Sequence, residues 1–308
     1  SVCDREALRQ QVLGMRHDLA PQTSIPQDCV AQRNLQWLGA SAGLNAVEQQ
    51  ILQFSFAMRA FNSLRSACLT LPNMPRADAP QVLGDILGAD PFQVQQALSL
   101  RGRLLRSGLI STNLVIDSSL DHLTHMARAL SFGIHMHTGD PADVLDGTCI
   151  RLPQSTLTLD NFGYMPIQTE LAQRWLKGAM GQVGAHLLVT GAPGLGKTEW
   201  VRALIAEQGV AARELAVLSE DGDAISGADR IENLRLCMHL LNGRETQVIV
   251  FDEADDAFVL DDKRESEGQS VANYRAALNR MLEESTVPVI WIMNHPEILH
   301  PAIVRRFD

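Results

Sequence analysis

Residues Gly191-Ala192-Pro193-Gly194-Leu195-Gly196-Lys197-Thr198 spell GxxxxGKT, a spacing whose chemistry is the wrapping of phosphates. Its glycines let the backbone curl closely enough for several N–H groups to point at one anion. Lys197 brings a positive charge to the β- and γ-phosphates, and the Thr198 hydroxyl offers a ligand for Mg2+. Further along, Gln247-Val248-Ile249-Val250-Phe251 runs into Asp252-Glu253. Asp252 is expected to hold Mg2+. Glu253 is expected to orient or deprotonate an attacking water, and the presence of both carboxylates points to hydrolysis rather than mere holding. A third apolar run, Val289-Ile290-Trp291-Ile292-Met293, ends in Asn294, whose amide can hydrogen-bond a terminal phosphate or the water. The paired Arg305 and Arg306 of the closing stretch Pro301–Asp308 suit the stabilisation of charge on a transferring phosphoryl group.

These groups need elements that bring them together. Leu187–Thr190 is a short apolar run suited to a buried parallel strand, and Glu199–Gln208 reads as a helix. The glycine loop therefore sits between a strand and a helix N-terminus, whose dipole favours an anion. The runs at 247–251 and 289–293 read as further buried strands. Acids at the C-terminal ends of parallel strands lie where open α/β sheets bind their ligands.

The remainder of the chain bounds the answer. At 308 residues it has the length of about two domains, with a net charge of −10 and 20 % charged residues. That acidity excludes a general binder of phosphate backbones, which needs clustered Lys and Arg. Residues 1–150 hold 11 arginines, no lysine and 13 acids; the three lysines, 177, 197 and 263, all lie in 151–308. The Gly-, Asp-, Pro- and Thr-rich stretch at 137–160 marks the join, giving an N-terminal domain at 1–150 and a C-terminal one at 151–308. No apolar run is long enough to span a bilayer, no signal peptide opens the chain, and five scattered cysteines without a CxxC pair fit a reducing cytoplasm.

The N-terminal half reads as mainly helical. Val47–Leu71 has the apolar pattern of one long buried helix, Ala79–Leu87 is a helix stopped by Gly88, and Asp90-Pro91 starts a helix from Phe92 to Leu105, closed by Gly108. A strand pair is expected over Leu109–Ile116. Helix, turn, helix, then strands make a winged-helix-like segment over about residues 44–117. Arg101, Arg103 and Arg106 lie near the end of its second helix, whereas base reading would use the N-terminal Phe92, Gln93, Gln95 and Gln96. His122, His125, His135 and His137 match metal-ligand spacings, yet with no neighbouring cysteine they read as ordinary surface and core histidines.

Taken together and in this order, GAPGLGKT at 191–198, VFDEAD at 250–255, WIMN at 291–294 and PAIVRRFD at 301–308 resemble the large α/β subdomain of an AAA+ ATPase. With Asp160-Asn161-Phe162 ahead of the core, the resemblance covers about residues 155–308. It implies a P-loop NTPase sheet of strand order 5-1-4-3-2 flanked by helices, with ATP and Mg2+ as cofactors. It also implies a nucleotide-binding set of Gly191, Ala192, Pro193, Gly194, Leu195, Gly196, Lys197, Thr198 and Glu199, and metal ligands Thr198 and Asp252. Glu253, Asn294, Arg305 and Arg306 are its implied catalytic residues, the arginines acting on the neighbouring subunit of a homo-oligomeric, usually hexameric, ring. The family continues into a small helical lid, which is not included within these 308 residues. His300 stands where the family often has Asp. The nearest match to a substrate-gripping pore triplet, Ile225-Ser226-Gly227, lacks the aromatic.

Other phosphate-loop classes fit less well. No Asn-Lys-x-Asp guanine reader exists, a two-lobed helicase would need a second ATPase lobe beyond the Asp252–Asp255 run, and a small-molecule kinase rarely needs both Glu253 and the arginine pair. The leading expectation is an ATPase that remodels a protein partner recruited by the N-terminal domain. The alternative is a nucleotide-switched, DNA-associated factor using the winged-helix-like segment.

Overall fold

The computed structural model describes residues 29–70, 74–75, 77–99, 101–111, 117–118, 120, 125–126, 128–219, 222–242, 247–258 and 271–308. The chain forms two compact units, one up to Val144 and one from Leu145 to Asp308.

The first unit is helical. Its helices are α1 (Val30–Ser41), α2 (Ala46–Ala60), α3 (Asn62–Leu69), α4 (Ala79–Leu87), α5 (Pro91–Ala97), α6 (Arg103–Arg106) and α7 (Arg128–Met136). Asn45 and Glu48 cap α2 reciprocally: each backbone N–H donates to the other's side chain at 2.9 Å. Ile51, Leu52, Phe54, Phe56 and Met58 are buried along it. The single helix expected over 47–71 is in fact two, because Phe61 leaves helical conformation (φ −118°, ψ 103°) at the weak helix formers Phe61-Asn62-Ser63. The helix expected from Phe92 to Leu105 also divides, at residues 98–102. A Cβ on Gly102 would lie 2.3 Å from the Ala97 carbonyl oxygen, so only glycine permits the re-entry. The Glu48 carboxylate then accepts the Arg103 N–H at 3.2 Å, holding the start of α6. Gly88 closes α4 with φ 68°, and the Asp90 side chain caps α5 through the Phe92 N–H (3.2 Å), as the sequence implies.

Four two-residue strands complete this unit. Met74–Pro75 (β1) pairs antiparallel with Asp117–Ser118 (β3), and Ile110–Ser111 (β2) with His125–Met126 (β4). Of the strand pair expected over 109–116, residues 112–116 lie outside the described residues, as does His122. His135 packs its ring 4.7 Å from that of Phe56, and among the described residues no three His, Cys, Asp or Glu side chains gather as a metal site.

The second unit is a five-stranded sheet with helices packed on it. Its strands are β5 (Cys149–Arg151), β6 (His186–Thr190), β7 (Ala211–Leu215), β8 (Gln247–Phe251) and β9 (Val289–Met293), in spatial order β5-β7-β8-β9-β6. The last four are mutually parallel; β5 runs antiparallel to β7. Helices α8 (Pro166–Ala179), α9 (Lys197–Gln208), α10 (Gly227–Leu240), α11 (Asp255–Phe258), α12 (Val271–Glu284) and α13 (Pro301–Val304) complete the unit.

Four of the five expected strands thus stand in the order 1-4-3-2. Strand 5 is expected beside β6, and Asp308 lies there. Its N–H donates to the His186 carbonyl (2.8 Å) and its carbonyl accepts the Leu188 N–H (3.4 Å), the pairing of one parallel rung. The strand at the far edge, β5, was not expected, and it spans the division placed between residues 150 and 151.

Both sheet faces are covered, which is why the central strands β8 and β9 read as apolar runs. Val248, Val250, Ile290 and Ile292 pack with Leu176 of α8 and with Trp200, Val201, Leu204 and Ile205 of α9. Trp291, fully buried, stacks on Phe251 (4.8 Å, 22°) and meets Phe258 and Phe307. The Trp291 indole N–H donates to His186 Nδ1 (3.2 Å); indole is only a donor, so Nε2 carries the imidazole proton and donates it to the Leu282 carbonyl (2.8 Å). Burial pulls the His186 pKa below its ordinary value, which suits this neutral tautomer. Cys29, Cys68, Cys149 and Cys237 are free thiols. No described helix is long and apolar enough to cross a membrane.

Candidate nucleotide site

The registers Thr190↔Met293 and Phe251↔Trp291 bring the C-terminal ends of β6, β8 and β9 to one end of the sheet. The glycine loop leaves β6 there. Gly194 (φ 81°) and Gly196 (φ 78°) adopt the left-handed conformation that favours glycine, and Gly196 then opens α9. The loop from Ala192 to Gly196 is exposed.

Lys197 turns back into its own loop. Its ammonium donates to the carbonyls of Gly191 (2.7 Å) and Ala192 (3.0 Å) and to Asn294 Oδ1 (2.8 Å). These three partners are neutral oxygens, so the positive charge stays available to an anion in the cradle. Thr198 Oγ1 donates to Asp252 Oδ2 at 2.6 Å. A hydroxyl and a carboxylate brought this close are hard oxygen donors of the kind Mg2+ takes, and the pair fits that ion beside a phosphate. The sequence-predicted Lys197, Thr198, Asp252 and Asn294 therefore meet in space although they span nearly a hundred residues.

Glu253 follows in an unusual conformation: with φ 50° it is the only non-glycine residue of positive φ among the described residues. Such strain costs about 1–3 kcal/mol and persists only where the surroundings enforce it. Its side chain is exposed, and its N–H donates to Asp252 Oδ1 at 2.8 Å.

Two residues of this site carry no role in the sequence reading. Asp255 accepts the Asn294 N–H on both carboxylate oxygens (3.1 and 3.0 Å) and the His295 N–H at 2.7 Å, tying the end of β9 to the turn after β8. It was visible only as the last letter of VFDEAD. Arg230 of α10 reaches the backbone carbonyls of Asp252 and Glu253, and no motif marked it.

Other expected members are placed differently. The Glu199 carboxylate is engaged by Arg202 (2.9 Å) and Ser155 (3.0 Å), and Arg202 also holds Glu214. What Glu199 can offer a phosphate is its backbone, in the first turn of α9. Arg305 and Arg306 are not an equivalent pair. Arg306 is 17 % exposed, ion-paired to Glu283 and bonded to the Ala302 carbonyl (3.1 Å), whereas Arg305 is exposed. His300 Nδ1 accepts the Ala302 N–H at 3.1 Å and so caps α13, the task an Asp would perform there. In Ile225-Ser226-Gly227, Ser226 caps α10 through the Asp229 N–H (3.2 Å) and Gly227 is buried.

No curated protein matches the chain. Residues 187–308 match the family model described as "ATPase family associated with various cellular activities (AAA)". The matched stretch begins at β6 and contains the glycine loop, the Asp252-Glu253 turn and Asn294. The loop lysine, the strand-end carboxylates and the β9 asparagine converge on one end of a parallel sheet, and residues 187–308 are similar in sequence to the ATPase domain of that family.

Proposed function

We propose that this chain hydrolyses ATP with Mg2+ and uses the cycle to remodel a protein partner recruited by its N-terminal unit. The observation that carries the catalytic half is the convergence of Lys197, Thr198, Asp252 and Asn294, with Glu253 at the adjoining turn. The backbone N–H groups from Gly191 to Glu199 cradle phosphates, and Lys197 and Asn294 reach the terminal one. Thr198 and Asp252 hold the metal, which when bound screens phosphate charge and favours departure of the leaving oxygen. Glu253 takes a proton from the attacking water, its exposed carboxylate being free to point toward it. Arg305, exposed beyond α13, completes a neighbouring subunit's site in a homo-oligomeric, hexameric ring; Arg306 holds the segment to Glu283. The free thiols fit a reducing cytoplasm.

Exposed apolar side chains on the first unit support a protein partner: Phe61, Leu69, Phe92, Phe132 and Met136 are all at least half exposed. The DNA alternative rests on exposed Arg101, Arg103 and Arg106 in the winged-helix-like segment. Arg103 lies 3.7 Å from the Glu48 carboxylate, which draws its charge away from a phosphate.

The test is capture on a Glu253→Gln protein held with ATP, read by mass spectrometry and nucleic-acid staining. A protein retained only with ATP supports the remodeller; nucleic acid retained instead supports the alternative. Hydrolysis at the parent rate by that variant overturns the catalytic assignment.

A further inference from the structure

We infer that Arg230 is a positioning residue that sets Glu253 for hydrolysis, an inference that deepens the ATPase reading and rests on it. Arg230 lies in the first turn of α10, its side chain 2 % exposed. One guanidinium serves two consecutive carbonyls: Nη1 donates to Glu253 O at 3.0 Å, and Nη2 to Asp252 O. Nη1 also lies 3.4 Å from Asp256 Oδ1, and the guanidinium carbon sits 4.5 Å from the centroid of the Phe251 ring. Arg230 therefore touches residues 251, 252, 253 and 256 and grips the catalytic turn from behind.

The turn needs that grip. Glu253 is held at φ 50°, a conformation an L residue rarely adopts. From the front, the Asp252 carboxylate fixes the turn through Thr198 and through the Glu253 N–H. From behind, the planar fork of Arg230 supplies paired donors in a fixed geometry that a lysine ammonium lacks. Burying a guanidinium is costly, and burial pulls the Arg230 pKa below its ordinary value. The group is nonetheless spent on backbone oxygens of the catalytic turn. A second observation links the same helix turn to the same segment: a Cβ on Gly227 would lie 2.4 Å from the Asp256 carbonyl and 2.6 Å from the Ala257 nitrogen. The start of α10 and the turn after β8 are thus packed in direct backbone contact.

Removing the fork lets Glu253 relax toward ordinary φ and carries its carboxylate off line. Misplacement of about 1 Å costs about a hundredfold in rate. Arg230 bonds to the Asp252 backbone carbonyl, whereas the Asp252 carboxylate is held by Thr198 and the Glu253 N–H, so the loss falls mainly on kcat rather than on nucleotide affinity.

The experiment measures kcat, KM and ATP affinity for Arg230→Met, Arg230→Lys and Arg230→Ala, the last with and without millimolar guanidinium chloride against an equal concentration of sodium chloride. Expected is a 10- to 100-fold loss of kcat in Arg230→Met, with KM and the dissociation constant for ATP within about threefold of the parent. Guanidinium, but not sodium, should restore kcat to Arg230→Ala without moving KM. Adding Arg230→Ala to Glu253→Gln should cost nothing further, because the effect runs through Glu253. Retained ATP affinity certifies folding; if Arg230→Met fails to fold, Arg230→Lys gives the same reading, with a kcat loss at unchanged affinity. An unchanged kcat, a parallel loss of kcat and ATP affinity, or no guanidinium rescue overturns the inference. Should Glu253→Gln itself hydrolyse ATP at the parent rate, the catalytic assignment of Glu253 falls and this inference with it; a dead Glu253→Gln beside fully active Arg230 variants overturns this inference alone.

Discussion

The two units of this chain spend their polar groups differently. In the second unit, charged and amide side chains converge on one end of the sheet: Lys197 on Asn294, Thr198 on Asp252, Asp255 on the end of β9 and Arg230 on the Asp252-Glu253 carbonyls. In the helical unit, the buried polar groups close helices instead. Glu48 caps α2 and receives the start of α6, and Asn34 donates to the carbonyls of Ile134 (3.1 Å) and His137 (2.8 Å) at the end of α7. The first arrangement leaves a cation and several oxygens open to a ligand. The second satisfies its groups internally and leaves apolar side chains such as Phe92, 62 % exposed, facing outward. On the proposed function, chemistry belongs to one unit and recognition to the other.

The sharpest test of that division outside the loop is Arg305 against Arg306. Arg305→Ala should lower hydrolysis about 10³- to 10⁵-fold while sparing ATP affinity, because a finger acts mainly in the transition state. Mixing it with Glu253→Gln protein should restore partial activity at mixed interfaces if the two co-assemble. Arg306→Ala should instead lower thermal stability, through loss of the Glu283 pair, as read in a melting curve. Equal effects of the two substitutions on rate and stability would erase the distinction.

A smaller effect is expected at Asp255. Replacing it with Ala orphans the Asn294 and His295 N–H groups and loosens the contact between Asn294 and Lys197. A loss of about tenfold in kcat is expected, measured by steady-state hydrolysis, with helix content unchanged by circular dichroism.

The smallest effect concerns pH and falls on the second unit's core. His186 must stay neutral to accept the Trp291 N–H, and burial depresses its folded pKa. Below the ordinary value of 6.5 the unfolded chain takes up a proton that the folded chain refuses, so stability falls as pH drops. The slope is at most about 1.4 kcal/mol per pH unit. Denaturant melts from pH 7.5 to 5 should show it, and His186→Gln should flatten it.

How much of this was legible follows from how each signal is written. The glycine loop, the strands at 247–251 and 289–293 and the residues at their ends were readable, because continuous apolar runs and fixed local spacings encode them. Strand β5 escaped notice: three residues, Cys149-Ile150-Arg151, are too few for a period. The helix expected over 92–105 broke at Gly102 because the approach to Ala97 is a tertiary contact, invisible to periodicity. Arg230 and Asp255 act on backbone groups of other segments, and no spacing rule marks a side chain that serves distant carbonyls or amides. The ion pairs of Glu199 with Arg202 and of Arg306 with Glu283 were not readable for the converse reason, since those partners become neighbours only on folding.

The central claim is that one end of the sheet both binds ATP and, through Glu253, hydrolyses it. The direct measurement pairs calorimetric ATP binding with hydrolysis rates for Glu253→Gln and Lys197→Ala beside the parent chain. The account predicts that Glu253→Gln binds ATP within about threefold of the parent yet hydrolyses it about 10²- to 10⁴-fold more slowly, while Lys197→Ala loses binding itself. Parent-rate hydrolysis by Glu253→Gln, or undiminished ATP affinity in Lys197→Ala, would contradict it.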